Sequence, residues 1–324
     1  MADKSKIAII GLGLVGASMG AALQREAGNF VVVGHDKEPE QAGAAKKRGD
    51  VQKTEWNLHR ACDGAELVIT AVPLRELPEL YRQISGDLAP GALILSLVDV
   101  MGPALAAARG NLSREVHFVA GHPVITGLTG PLEPRADLFE KSVFCLAADV
   151  ETHPDALELA SNLARRVGAE PLFIDVQEHD GILALVEQLP QLLGLALMQM
   201  SSESSGWREA RRLAGRRFAQ ATDVGRSPEG LASSLHANRE HLVQRLAQFQ
   251  EELAAWQQIL ADVNEDELAL LLKKIIGDRE QWESVASRQA WGEEASPSTQ
   301  DEGPGFLRQM FFGNLLRKRG NDQR

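Results

Sequence analysis

From Lys6 to about Asp175, short apolar runs alternate with stretches in which apolar residues recur every three or four positions. The first pattern predicts strands and the second helices. Their alternation predicts a parallel sheet covered by helices on both faces, the doubly wound α/β class. Strands are expected at Ile7–Ile10, Phe30–Gly34, Leu67–Ala71, Leu93–Leu97, Val116–Ala120, Val143–Leu146 and Pro171–Ile174, with turn signals at Gly49-Asp50, Pro90-Gly91 and Gly110-Asn111. Beyond Asp175 the strand signal ends, and the chain to about Trp291 reads as helices. Leu235, Leu242, Leu246, Phe249, Leu253, Trp256, Leu260 and Val263 recur at steps of seven, four and three, which predicts one long helix with an apolar stripe. Asn264, with Glu267 three residues on, predicts the cap of a further helix bearing Leu268, Leu271, Leu272, Ile275 and Ile276 on its apolar face. Such a stripe reads either as an intramolecular core or as a surface that a second copy covers.

The expected organisation is therefore a dinucleotide-type α/β domain over 1–175 and an all-α domain for substrate and dimerisation over 176–292. A disordered linker rich in Glu, Ser, Pro and Gly is expected over 293–305, then a basic and apolar tail over 306–324. The tail combines Phe306, Leu307, Met310, Phe311 and Phe312 with Arg308, Arg317, Lys318 and Arg319, which suits docking, a membrane surface or self-packing. The apolar stretch Ile182 to Met200 includes Glu187, Gln188, Pro190, Gln191 and Gln199, too polar for a membrane span, and reads as a buried helix.

Composition narrows the partners. With 44% hydrophobic and 24% charged residues among 324, the chain is of the soluble globular type and long enough for two cores. A net charge of −11 repels a phosphate backbone, which argues against nucleic acid as a partner. Cys62 and Cys145 belong to no Cys/His cluster, so neither a metal site nor a disulfide framework is expected, and a reducing cytoplasm fits. Lys4 and Lys6 before an apolar stretch imitate a secretory signal, but the glycines that follow have a better explanation.

Those glycines are Gly11-Leu12-Gly13-Leu14-Val15-Gly16, between the strand Ile7–Ile10 and a helix through Ala17, Ala21, Ala22 and Leu23. Gly11 suits a tight turn, Gly13 a close approach of backbone to a pyrophosphate, and Gly16 close helix–strand packing, the fingerprint of a Rossmann domain. Asp36, at the end of the second strand, is placed to accept from the adenosine ribose hydroxyls, which favours NAD, while Lys37 beside it leaves NADP possible. The alternative for Asp36 is a surface turn residue. Ala71, Val72 and Pro73 end the next strand at the edge where a cofactor binds.

Together with Ala17-Ser18-Met19, Ala71-Val72-Pro73, Gly121-His122-Pro123 and Glu178-His179-Asp180, the glycine run resembles the prephenate/arogenate dehydrogenases of tyrosine biosynthesis over roughly residues 6 to 260. The resemblance implies a small-molecule substrate, NAD(P)-dependent oxidative decarboxylation, and a homodimer through the helical domain. It also implies that His122 accepts the proton of the substrate ring hydroxyl; a near-neutral histidine on a loop after a strand is a sensible general base, and simple packing of that loop is the alternative.

The chain departs from the family at several points. Val124, Ile125 and Thr126 replace the usual residues after Gly-His-Pro, and Asp99 stands where a serine positions the histidine. A carboxylate there is expected to orient His122 and to raise its pKa toward the charged form. Glu187, Gln188, Leu189, Pro190 and Gln191 replace a Ser-His-Leu-Pro-His segment, and Asp223 falls near the position of a carboxylate-binding arginine, with Arg216, Arg217 or Arg226 as substitutes. Gln188, Gln191, Arg217 and Asp223 are thus the candidate substrate residues. Two other readings are a dehydrogenase of the same build for a different hydroxy acid or ring alcohol, and a non-catalytic NAD-binding regulator.

Overall fold

The computed structural model describes residues 5–25, 30–125, 133–225 and 227–288, so the expected linker and tail lie outside the described residues. Eight strands form one sheet: β1 (Ser5–Ile10), β2 (Phe30–His35), β3 (Lys53–Thr54), β4 (Leu67–Thr70), β5 (Leu93–Leu97), β6 (His117–Val124), β7 (Val143–Ala148) and β8 (Glu170–Phe173). Their order is β3-β2-β1-β4-β5-β6-β7-β8. The helices before the last strand are α1 (Leu14–Gln24), α2 (Pro39–Arg48), α3 (Leu58–Cys62), α4 (Leu77–Ile84), α5 (Met101–Asn111) and α6 (Pro154–Arg166). After it come α7 (Val176–Leu183), α8 (Leu189–Ser202), α9 (Trp207–Ala210), α10 (Arg216–Ala221), α11 (Pro228–Ala237), α12 (Arg239–Asp262) and α13 (Glu265–Arg288).

The sheet is buried on both faces because its strands are apolar at successive positions, and the period of two sends neighbours to opposite sides. Ile7, Ile9, Leu67, Ile69, Leu93 and Leu95 join one core with α1 and α6 residues such as Met19 and Leu163. Ala8, Ile10, Val68 and Ile94 join the other, with Leu77, Tyr81, Met101 and Leu105 of α4 and α5. The strand order reverses between β1 and β4, which places a crevice at their carboxyl ends.

Three sequence expectations change. The sheet is not wholly parallel, because β7 pairs antiparallel with β6. The described residues of that connection contain no helix, and a parallel return needs a crossover. His122 lies on β6 opposite Cys145, within the extended strand rather than on a loop after it. The long helix expected from Leu235 to Val263 is interrupted at Asn238, which ends α11 with φ −107° and ψ 19°.

Asp175 starts the helical part by accepting from the backbone N–H groups of Gln177 and Glu178. A wide π turn, Ala184–Gln188, then separates α7 from α8. Pro190, in the first turn of α8, cannot donate and would press on the Val186 carbonyl in a regular helix, which accounts for the widening. The span Val176–Ser202 is long and apolar enough to cross a membrane by length and composition, with a mean hydropathy of 1.5. The expectation of a buried helix is corrected: only 28% of that apolar window is buried, and Ile182, Leu185, Val186 and Met200 are exposed. The buried His179 and Asp180 of α7 share this span with those exposed apolar side chains.

The chain divides into two compact units, Met1–Gln257 and Gln258–Arg324. The first holds the sheet and the helices through most of α12, with α7 packed on α5 and β7. In the second, Asn264 caps α13 by accepting from the Glu267 N–H at 3.0 Å, as its sequence predicts.

Candidate active site

The glycine loop sits at the crevice. Gly11 has φ +92°, and a Cβ there would lie 2.4 Å from the Ala71 carbonyl oxygen, so β1 and the end of β4 approach too closely for any side chain. At Gly16 an added Cβ would fall 1.9 Å from the Gly11 carbonyl oxygen. Gly13 is different: it is exposed at the N-terminus of α1, and a Cβ on it would meet nothing within 4 Å. Open space above the free N–H groups of Leu14 and Val15 at a helix start suits a pyrophosphate, and the residues present fit a dinucleotide.

Asp36 closes this loop from the second strand. Its Oδ2 accepts from the Leu12 N–H at 2.7 Å and its Oδ1 from the Glu38 N–H at 2.9 Å. Each oxygen keeps a lone pair for a further donor. Ala71 continues the β4 ladder by donating to the Ile10 carbonyl at 2.8 Å, which leads Val72 and Pro73 out over the carboxyl edge of the sheet.

The chemistry gathers where α7 crosses β6. His179 and Asp180 are buried, and the Asp180 carboxylate accepts from the N–H groups of Met101 and Gly102 at 2.9 and 2.8 Å, at the start of α5. An acceptor so held takes a proton donor from His179 Nδ1, 2.9 Å from Asp180 Oδ1. With that proton placed, His179 Nε2 is an acceptor, and His122 Nδ1–H donates to it at 3.0 Å. His122 Nε2 is left with a lone pair and no hydrogen bond from the described residues. The three side chains thus form a relay that ends on a base.

Burial first, and the neighbouring His179 second, push the His122 imidazole down to about 4, against the opposite pull of Asp99 and Asp180. This corrects the expectation that Asp99 would make His122 a charged, poor base, because desolvation of the ring outweighs the carboxylate. Nor does Asp99 orient the imidazole by a hydrogen bond: its Oδ2 accepts from Ser234 Oγ on α11 at 2.5 Å, and its Oδ1 from the Val100 N–H. Since its charge still favours protonated His122, Asp99→Ser should lower that pKa further. The rising limb of the profile of kcat/KM against pH should then move to lower pH, and a shift to higher pH counts against this arrangement.

Gln188, expected at the substrate, is instead spent inside the protein. Only 1% exposed, it donates from Nε2 to Ser234 Oγ and the Ser234 carbonyl and accepts at Oε1 from Asn238 Nδ2 at 2.7 Å. Asn238 also donates to the Asp180 carbonyl, so the break between α11 and α12 braces the relay. Gln191 is half-buried on α8. Arg217 on α10 and Asp223 beyond it are exposed, and neither shares a hydrogen bond or ion pair with the His122 network among the described residues. Ser234 and Asn238 were not expected from the sequence; an Asn inside an otherwise periodic apolar stripe was their only signal.

The chain matches two family models in tandem, "Prephenate dehydrogenase, nucleotide-binding domain" over residues 19–172 and "Prephenate dehydrogenase, dimerization domain" over residues 175–274. It is similar to the prephenate dehydrogenase of Lactococcus lactis, 28% identical over 83% of this chain and 72% of that protein. It is also similar to the cyclohexadienyl dehydrogenase of Zymomonas mobilis, 26% identical over 68% of this chain and 76% of that one. Among solved structures, the prephenate dehydrogenase of A. aeolicus in complex with hydroxyphenyl propionate and NAD+ superposes with a TM-score of 0.79, at 21% identity, covering 86% of this chain and 98% of that one. The Synechocystis arogenate dehydrogenase gives 0.71 at 22% identity, covering 86% and 99%. With its glycine loop, its Gly-His-Pro strand and both halves matched in order, the chain belongs to the prephenate/arogenate dehydrogenase family.

Proposed function

We infer that this protein oxidatively decarboxylates a cyclohexadienyl alcohol of the prephenate or arogenate kind, with NAD as oxidant and His122 as the base. The observation that carries the reading is the relay from Asp180 through His179, which leaves the His122 Nε2 lone pair free on β6, with the glycine loop at the sheet's switch point. A dinucleotide held by its pyrophosphate at the glycine loop would supply the hydride acceptor. His122 Nε2 takes the proton of the ring hydroxyl as its carbon loses hydride. The electron pair of the breaking bond to the departing carboxylate then completes the aromatic ring. The proton on His122 places positive charge beside His179, and the fixed Asp180 carboxylate stabilises it. The decisive assay incubates the protein with prephenate or arogenate and each dinucleotide, following reduced nicotinamide and released carbon dioxide. Formation of both supports the reading, and neither with either substrate overturns it.

The same reading assigns 1–175 to the cofactor and 176–292 to substrate and dimerisation. A cytoplasmic setting fits the two free buried thiols, whose pKa values burial pushes up to about 12 for Cys62 and about 11 for Cys145. A homodimer would cover the exposed apolar side chains of the helices, among them Val186, Met200 and Leu253 of the first unit and Leu270 and Ile276 of the second. Light scattering at micromolar concentration should give twice the chain mass, and Leu253→Lys combined with Val186→Lys should reduce it to one; a monomeric wild type argues against the assembly.

A further inference from the structure

Beside Asp36 stands a cation that a cofactor with a 2′-phosphate could use. Lys37 is 66% exposed and adjoins the carboxylate that faces the glycine loop. Its ammonium is already engaged, because Nζ donates to Glu76 Oε1 at 2.8 Å. Glu76 closes the single helical turn Leu74–Glu76 that follows directly on Ala71-Val72-Pro73, so the partner comes from the β4 edge of the crevice. Glu76 is 30% exposed, less than half the exposure of Lys37, and so is the better-anchored member. Arg75 lies near enough to act electrostatically on Lys37, and Glu38 acts on it in the same direction as Glu76. The hydrogen bond to Glu76 is the largest of the influences that raise the Lys37 pKa.

We propose that Glu76 is a specificity-determining residue for the cofactor: by occupying Lys37, the residue after Asp36, it withholds that cation from a 2′-phosphate and so sharpens the preference for NAD. The inference rests on the cofactor reading above. Asp36 alone disfavours a 2′-phosphate by charge, but Lys37, left free with Arg75 close by, would offset much of that repulsion. Glu76 removes the offset by holding the Lys37 ammonium.

The test is calorimetric titration of the full chain with NAD and with NADP, the weaker ligand being read by competition, for wild type, Glu76→Gln and the double variant Lys37→Gln/Glu76→Gln. Glu76→Gln should strengthen NADP by about three- to tenfold while NAD stays within about twofold, the scale of one exposed charge-assisted contact. The double variant should return the NADP-to-NAD ratio to about the wild-type value, since the gain runs through Lys37. A ratio unmoved by Glu76→Gln overturns the proposal. So does a gain that survives the loss of Lys37, which would show a general effect of charge. A wild type that binds neither dinucleotide would instead remove the cofactor reading, and this proposal with it.

Discussion

His122→Asn is expected to keep cofactor affinity within about twofold and to lower turnover by about 10²–10⁴-fold, the usual worth of a positioned acid–base group. Asparagine retains a donor that can reach toward His179 but has no basic nitrogen to receive the substrate proton, so the loss falls on chemistry. Because the His122 pKa is pushed down to about 4, the wild-type base is unprotonated across the neutral range. The sign follows: activity governed by this group rises as pH climbs through its pKa and is flat above it. The variant should lose that limb. A His122→Asn protein that turns over prephenate or arogenate at the wild-type rate would refute the assignment of the base, and His179 becomes the group to test.

The second large effect is on the dinucleotide. Gly13→Val is expected to weaken NAD by more than about 100-fold, because a branched side chain would fill the space above the start of α1 where phosphate oxygens meet backbone N–H groups. The position separates binding from folding. A Cβ on Gly13 meets no protein atom within 4 Å, whereas on Gly11 or Gly16 it would strike backbone at 2.4 and 1.9 Å. Gly13→Val should therefore unfold at the wild-type temperature, while Gly16→Ala should lose about 1–3 kcal/mol of stability from overpacking. Titration calorimetry with thermal unfolding of both variants checks the pair. A folded Gly13→Val protein with unchanged NAD affinity would remove the glycine loop from the binding site.

Much of this architecture is written locally. The short continuous apolar runs Ile7–Ile10, Leu67–Thr70 and Leu93–Leu97, the glycines after the first strand and Asn264 ahead of the last described helix each mark their own element within a few residues. A run of apolar residues and a capping side chain are signals carried by neighbours in sequence. The acid–base centre was legible only as separate pieces. His122 and His179 meet across 57 positions, Asp180 is held by the start of α5 from 79 away, and Ser234 reaches Asp99 across 135. Periodicity carries no record of such pairs, because which donor satisfies a buried carboxylate depends on how helices pack on the sheet. For the same reason Gln188 read in sequence as a substrate contact, and Asn238 gave no sign of the brace it makes. The meeting of α7, α8 and the end of α11 made them braces, since a buried amide beside other buried polar groups must spend its hydrogen bonds there.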